Sequence, residues 1–336
     1  MNAASPSLVH ELRPRIMEKR TRLQAAAQTV SAEYVNELLA EIDSALQRID
    51  NGSYGICEVC KDTIEADRLQ QNPFERFCLD HLDPQQRRAH EKDLQLATQI
   101  QSQLLPGRDI KTQIWAAHYR YQPAGIVGGD YCEIVPSADG ASLFFALGDV
   151  TGKGVAASLL MAHLSAIFRS LLSLDLPLAE MMVRANRLFC ESTPATHYAT
   201  LVAGRANGSG RGEVNVDLCS AGHCRPLVLR RDGTEKVDST GLPLGLFYDG
   251  RYTIRRIALD LRDSLVLYSD GITEAEDPDG DMYGEDRFIG CMRRHEGRDA
   301  IAIADGVLSD VARFRRAAPQ QDDMTLLLLW RHAHNN

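Results

Sequence analysis

The stretch Phe144-Phe145-Ala146-Leu147-Gly148-Asp149-Val150-Thr151-Gly152-Lys153-Gly154 constrains this chain more than any other. A short apolar run ends in an acid, glycines punctuate the next few residues, and the residues from Val155 to Leu164 open a helical pattern. That order predicts a buried strand, a tight turn and a helix. An Asp beside a Gly is by itself an ordinary turn residue or helix cap. Its weight comes from recurrence: Leu265-Val-Leu-Tyr-Ser-Asp270-Gly271 repeats the arrangement, and Asp322-Asp323 precedes a further apolar run ending at Trp330. A fourth acid, Asp130, follows Gly128-Gly129.

Convergence of these strand ends brings several carboxylates together. At an effective dielectric near 20, each like-charged pair at 4 Å costs about 4 kcal/mol. Left bare, such a cluster holds protons or unfolds locally. A pair of divalent cations removes the conflict, and oxygen-only ligands suit Mg²⁺ or Mn²⁺.

The ordered set Gly128-Gly-Asp-Tyr131, Gly148-Asp-Val-Thr-Gly-Lys-Gly154, Ser220-Ala-Gly-His223, Gly241-Leu-Pro-Leu-Gly245, Ser269-Asp-Gly-Ile-Thr-Glu274 and Asp322-Asp-Met-Thr325 resembles the metal-dependent type 2C (PPM-type) protein phosphatases, in their bacterial SpoIIE/RsbU-like branch. The resemblance covers residues 109 to 331 and implies a hydrolase acting on phosphoserine or phosphothreonine in a protein. It also implies the ligands: Asp149 bridging two Mn²⁺ or Mg²⁺ ions, the Val150 carbonyl beside it, Asp130 and Asp270 on one ion or the other, and Asp322 as the acid of the last motif. Asp323 is expected in the outer shell. Two cations then activate a water for in-line attack on phosphorus. Glu133 stands where the branch commonly has a second Asp, as an acid on a longer arm. Thr151 replaces the catalytic His of animal-type members, which leaves the general acid open. His223 reads as a hydrogen-bonded structural residue or an acid, and Arg120 as a strand-end residue or a phosphate contact. None of Cys132, Cys190, Cys219, Cys224 and Cys291 has the Cys-x5-Arg spacing of a thiol phosphatase, so they read as small buried hydrophobes.

Strand-like runs are expected at residues 114–121, 142–147, 199–205, 213–218, 226–230, 251–259, 264–268 and 325–331, and helices near 155–173, 177–191, 284–294 and 298–313. Strands in succession with grouped helices predict an α+β fold. The resemblance sharpens this to an α-β-β-α sandwich over residues 109–332.

Upstream, residues 1–12 carry little pattern. A first helix is expected over 14–29, with Pro14 in its first turn and Ile16, Leu23 and Val30 at seven-residue intervals. Ser31 caps a second, whose face of Val35, Leu38, Leu39, Ile42, Leu46 and Ile49 ends at Asn51-Gly52. The two make a helical hairpin. Cys57-Glu-Val-Cys60, seventeen residues and then Cys78-Leu-Asp-His81 supply three thiolates and an imidazole, a set suited to a structural Zn²⁺. Together with Leu46-Gln-Arg-Ile-Asp-Asn-Gly-Ser-Tyr-Gly-Ile-Cys57, Arg68-Leu69 and Pro73-Phe74, the finger resembles the DksA/TraR type. It departs by having His81 for a cysteine and no acid at the presumed tip, Gln24 to Ser31, where polymerase-acting members carry acids. The expected organisation is therefore a hairpin with a zinc finger over 1–83, a linker helix over 84–108 ending at Pro106-Gly107, and the phosphatase domain. In the phosphatases it resembles, such a linker mediates dimerisation and relays a sensor's state.

The net charge of −9 argues against general nucleic-acid or acidic-membrane binding. No charged-then-apolar leader opens the chain, and no run is expected to approach the roughly 18 apolar residues of a spanning helix. With one CxxC pair among eight cysteines, a secreted disulfide framework is not expected, which points to a cytoplasmic protein. Two readings of function are open. One is a phosphatase acting on an anti-sigma-factor antagonist in a partner-switching pathway, as a homodimer with the zinc hairpin as sensor or dimeriser. The other is a zinc-finger protein that binds RNA polymerase or another partner, with the phosphatase fold as a non-catalytic scaffold. Clustered acids favour the first, because a scaffold has no need of mutually repelling carboxylates.

Overall fold

The computed structural model describes residues 6–26, 32–81, 84–208, 214–295 and 299–332. The chain divides into two compact units with the boundary between Asp93 and Leu94.

In the first unit, helices α1 (Pro6–Ala26) and α2 (Ala32–Asp50) pair as an antiparallel hairpin, with Arg13 bound to Asp50 and Arg20 to Asp43. α1 begins eight residues ahead of the expected start at Pro14, which lies inside the helix. Leu8, Leu12 and Ile16 are buried at four-residue spacing, so the apolar stripe extends upstream of the proline, and Pro14 itself is exposed. Val30, Ser31 and most of the expected hairpin tip fall outside the described residues. Gly52, at φ 75°, turns the chain out of α2 as expected. Ile42, Ala45, Tyr54, Ile64 and Leu69 bury together with Cys57 and Cys78. The Arg48 guanidinium donates to the carbonyls of Phe74 and Glu75, tying the finger to α2. Helices α3 (Ala66–Gln71) and α4 (Pro84–Leu104) come next in the chain.

The second unit contains strands β1 (Asp109–Lys111), β2 (Trp115–Gln122), β3 (Tyr131–Pro136) and β4 (Ser142–Val150), then helices α5 (Gly154–Leu172) and α6 (Leu178–Ser192). β5 (Ala199–Asn207), β6 (Asn215–Ala221), β7 (Leu227–Arg230), β8 (Gly233–Lys236), β9 (Arg255–Ala258) and β10 (Ser264–Tyr268) come next. The short α7 (Asp270–Thr273), α8 (Glu285–Arg294), α9 (Ala300–Arg315) and β11 (Met324–Arg331) complete it. One sheet runs β1-β2-β11-β10-β7-β8 and the other β3-β4-β5-β6-β9, with every ladder antiparallel. Alternation along the strands sends Trp115, Phe145, Leu147, Val202, Leu265 and Leu327 into the core between the sheets. The opposite faces pack α5 and α6 on one side and α8 and α9 on the other. This is the expected α-β-β-α sandwich.

Strand β3 carried no clear signal because its alternation includes a charge. Tyr131 and Glu133 point away from the inter-sheet core, and Glu133 is buried there, accepting from Arg169 of α5 at 3.0 and 3.2 Å. Glu133, the acid on a longer arm, thus pairs β3 with α5. Helix α5 also corrects the hydropathy expectation, since it is long and apolar enough by length and composition to cross a membrane. Its Met161, Leu164 and Phe168 are buried against the sheet, which is why it is so apolar.

Arg169→Leu strands the buried Glu133 carboxylate, and breaking such a pair costs about 3–5 kcal/mol when both partners are buried. Arg169 is part exposed, so a loss at the lower end is expected in denaturant melts, largely recovered in Arg169→Leu/Glu133→Gln. An unchanged midpoint in the single variant refutes the role given to this pair.

Candidate active site

The four predicted acids lie at one edge of the sandwich because their strands end there. Asp130 immediately precedes β3, whose Tyr131 pairs with Gly148, the neighbour of Asp149 on β4. In the other sheet, Asp270 follows β10 and Asp322 precedes β11, two antiparallel neighbours paired through Tyr268 and Leu326. One short bond joins the two edges, and others brace the β10–β11 side. The Thr325 hydroxyl donates to Asp130 Oδ2 at 2.5 Å, and the Ser269 hydroxyl accepts from the Thr325 amide at 2.8 Å and donates to the Asp323 carbonyl.

Charge is crowded at this edge. Burial and then Asp149 push the fully buried Asp130 carboxyl well above the usual range. Burial, followed by Asp270, Asp322 and Asp323, brings Asp149 up to about 7, while burial and Asp322 raise Asp270. Lys153 answers from the rim, 3.2 Å from Asp322 with both side chains largely exposed. A cleft of about 260 Å³ opens over Asp149, Lys153 and Asp322. Val150, the last residue of β4, is buried and pairs with Ala199.

Asp323 has a different task. Its carboxylate accepts from the amides of Ala124 at 2.8 Å, Gly129 at 2.7 Å and Asp130 at 3.3 Å, fixing the loop that delivers Asp130. A Cβ on Gly128 would lie 1.9 Å from that carboxylate, so only glycine allows the approach.

Sequence reasoning missed Thr325, Ser269 and Gln101. The Gln101 side chain, buried on α4, donates to the Gly128 carbonyl at 2.7 Å and accepts from its amide at 3.2 Å, much as a neighbouring strand would. The signal was available: Gln101 continues the stripe of Ala97 and Leu104 at helical spacing.

In the first unit, one ligand atom from each of Cys57, Cys60, Cys78 and His81 lies within 4.8 Å of the others. Cys60 Sγ is 3.7 Å from Cys78 Sγ, and Cys78 Sγ is 3.2 Å from His81 Nδ1. A tetrahedral zinc with bonds of about 2.3 Å to sulfur needs sulfurs about 3.8 Å apart, so the donors fit that ion. Burial pushes the Cys57 thiol up, but backbone amides of Cys60, Cys78 and Val59 outweigh it and lower it to about 6, whereas burial and the neighbouring Cys60 and Cys57 push Cys78 up to about 11, so without an ion the cluster shares its protons unevenly.

A family model described as Stage II sporulation protein E (SpoIIE) matches residues 139–332, more than half of the chain. The chain belongs to the SpoIIE family. Residues 52–80 match the prokaryotic dksA/traR C4-type zinc finger. The finger match ends one residue before His81, the position at which this SpoIIE-family protein departs from four cysteines. Protein IcfG of Synechocystis sp. is 24% identical over 71% of the chain and 42% of its own length. The phosphoserine phosphatase RsbU of Bacillus subtilis is 24% identical over 71% of the chain and 70% of its own length. The chain therefore spans less than half of the first of these relatives. Among solved structures, the SiaA-PP2C domain of Pseudomonas aeruginosa superposes with a TM-score of 0.63 at 17% identity, over 73% of this chain and 97% of that one. The RsbU and RsbW domains of Rv1364c from Mycobacterium tuberculosis superpose with a TM-score of 0.56 at 24% identity, over 67% and 62%. Both likenesses are of fold.

The remaining candidates resolve by environment. His223 is buried with Nδ1 2.8 Å from the Thr200 hydroxyl, and burial lowers it to about 4, so it is neutral at pH 7 and structural. Arg120 is bound to Asp305 of α9 at 2.9 Å. Burial pushes Cys219 up to about 11 and Cys224 up to about 12 and raises Cys132, Cys190 and Cys291, so all five are held as thiols.

Asp323→Asn turns one of two acceptor oxygens into a donor facing backbone N–H groups. A stability loss of about 1–3 kcal/mol is expected in denaturant melts. A wild-type midpoint refutes the clamp.

Proposed function

We propose that the second unit is a metal-dependent protein serine/threonine phosphatase. The observation that carries this reading is the crowding of the buried Asp130 and the half-buried Asp149, Asp270 and Asp322 at one sandwich edge under a cleft. Carboxylates pushed upward by burial and by one another call for cations, and an all-oxygen donor set suits Mn²⁺ or Mg²⁺. Asp130, Asp149, Asp270 and Asp322 would hold the ions, with the Val150 carbonyl as a neutral oxygen beside them. When bound, the ions supply Lewis acidity that makes water a nucleophile and offsets the charge developing on phosphorus.

The chain's own groups do the positioning. Thr325 fixes one oxygen of Asp130, and Asp323 holds the loop behind it. Lys153, at the mouth of the cleft, supplies positive charge for the incoming phosphoryl oxygens. The thiols of Cys132, Cys190, Cys219, Cys224 and Cys291 take no part.

The resemblance to the RsbU branch supports a small phosphorylated anti-sigma-factor antagonist as substrate and a cytoplasmic setting. Leu96 and Ile100, four residues apart and exposed on α4, favour a homodimer through that helix, with the zinc hairpin as sensor or dimeriser. Cys57, Cys60, Cys78 and His81 would hold a structural zinc.

Phosphate release from a phosphoserine peptide and from an aryl phosphate tests the enzyme reading. Turnover is expected with Mn²⁺, absent after chelation and restored by adding the metal back, and Asp149→Asn should cost at least about a hundredfold. Turnover that survives both treatments overturns it. Independently, Cys60→Ser should empty the finger of zinc by metal analysis, and an unchanged zinc content removes Cys60 from the ligand set.

A further inference from the structure

At the other end of the same strands lies a cavity of about 720 Å³. Strand register places it: Ser264, which lines it, opens β10 opposite Trp330, which also lines it, whereas Tyr268 and Leu326 pair toward the acid-bearing edge. The five residues of β10 put about 17 Å between the two ends.

The cavity's charges are unbalanced. Arg230 is occupied, bound to Asp263 at 2.6 Å, to Glu235 at 3.0 Å and to the Ala258 carbonyl at 3.2 Å. Both acids of the lining are likewise committed, Asp263 to Arg230 and Asp299 to the Ala302 amide at the start of α9. Arg231, Arg262 and Arg293 complete the polar rim, and among the described residues their guanidinium groups have no ion-pair or hydrogen-bond partner. The Thr234 hydroxyl, shut away from solvent, is also without a partner among the described residues. In a chain of net charge −9, three guanidinium groups around one hollow, unpaired among the described residues, are a local reversal of sign.

The floor is apolar, formed by Met292, Ile303 and the half-buried Trp330. Guanidinium forks match phosphate oxygens, an indole and a thioether match a flat ring, and the volume is that of a small-molecule site. We propose that this cavity binds a nucleotide, with its phosphates on Arg231, Arg262 and Arg293 and its base against the Trp330 floor. The site is separate from the acid edge and stands whether or not that edge is catalytic.

The chain has two tryptophans, Trp115 fully buried between the sheets and Trp330 at the cavity, so intrinsic fluorescence of the full-length protein reads the site. Titration with ADP or GDP, without added divalent cation, should quench it saturably. Trp330→Phe should remove the quench while calorimetry still records binding. Arg262→Glu/Arg293→Glu, two exposed changes, should weaken binding by at least about tenfold, since each replaces a charge-assisted contact to phosphate by a repulsive one. Asp149→Asn should bind as wild type. Absence of both quench and heat with both nucleotides overturns the proposal. So does binding lost in Asp149→Asn but kept in the arginine variant, and so does inorganic pyrophosphate binding as tightly as ADP, which leaves the base no part.

Discussion

Repulsion among carboxylates at the sandwich edge is what the rest of the second unit must withstand. Each like pair near 4 Å costs about 4 kcal/mol at an effective dielectric of 20, against a total stability of about 5–15 kcal/mol for a typical domain. The fold therefore holds the acids from behind. Asp130 takes a hydroxyl from Thr325, and its loop is clamped by Asp323 and Gln101. Close packing adds to this: a Cβ on Gly271 would lie 2.1 Å from the Asp323 carbonyl, so the turn after Asp270 sits directly on the strand that follows Asp322. Rigid backing keeps the acids facing one another when relaxation would spread them apart.

Two sheets are needed for this arrangement, because no single sheet brings four acids to one point. Adjacent strands stand about 4.8 Å apart, so acids at the ends of four neighbouring strands form a row. Stacking the β3–β4 edge over the β10–β11 edge folds that row into a cluster, and the Thr325 to Asp130 bond crosses the stack. The core between the sheets sets the spacing, and the outer helices keep both backs dry.

Much of this was legible because strands that end in function carry local punctuation. Asp149, Asp270 and Asp322 stand beside glycine or a second acid at the end of an apolar run, a pattern that reads without tertiary knowledge. Helices α5, α6, α8 and α9 came within two residues of their expected bounds, since amphipathic periodicity is local. What stayed hidden depends on partners distant in sequence. Glu133 broke the alternation of β3 because Arg169, thirty-six residues on, neutralises it. Gln101 and Thr325 look like ordinary polar residues until the Gly128 backbone and Asp130 are placed beside them. Pro14 misled about α1 because a proline inside a helix costs about 3 kcal/mol, yet the apolar stripe of Leu8, Leu12 and Ile16 buries on both sides of it.

Asp322 and Asp323 show how a one-residue step divides labour. At a strand start, successive side chains leave the backbone in opposite directions. Asp322 turns to the cleft, is about half exposed and meets Lys153, whereas Asp323 turns inward, is only 6% exposed and is consumed by three backbone amides. Composition cannot rank the two, since both are aspartates in the same motif. Hydrogen-bond capacity can: an acid whose oxygens are already filled by the chain has little left for a cation, and one that faces solvent beside a single lysine still has lone pairs to offer. The inward acid therefore braces the loop before β3, and the outward acid keeps the lone pairs that its proposed ligand role requires.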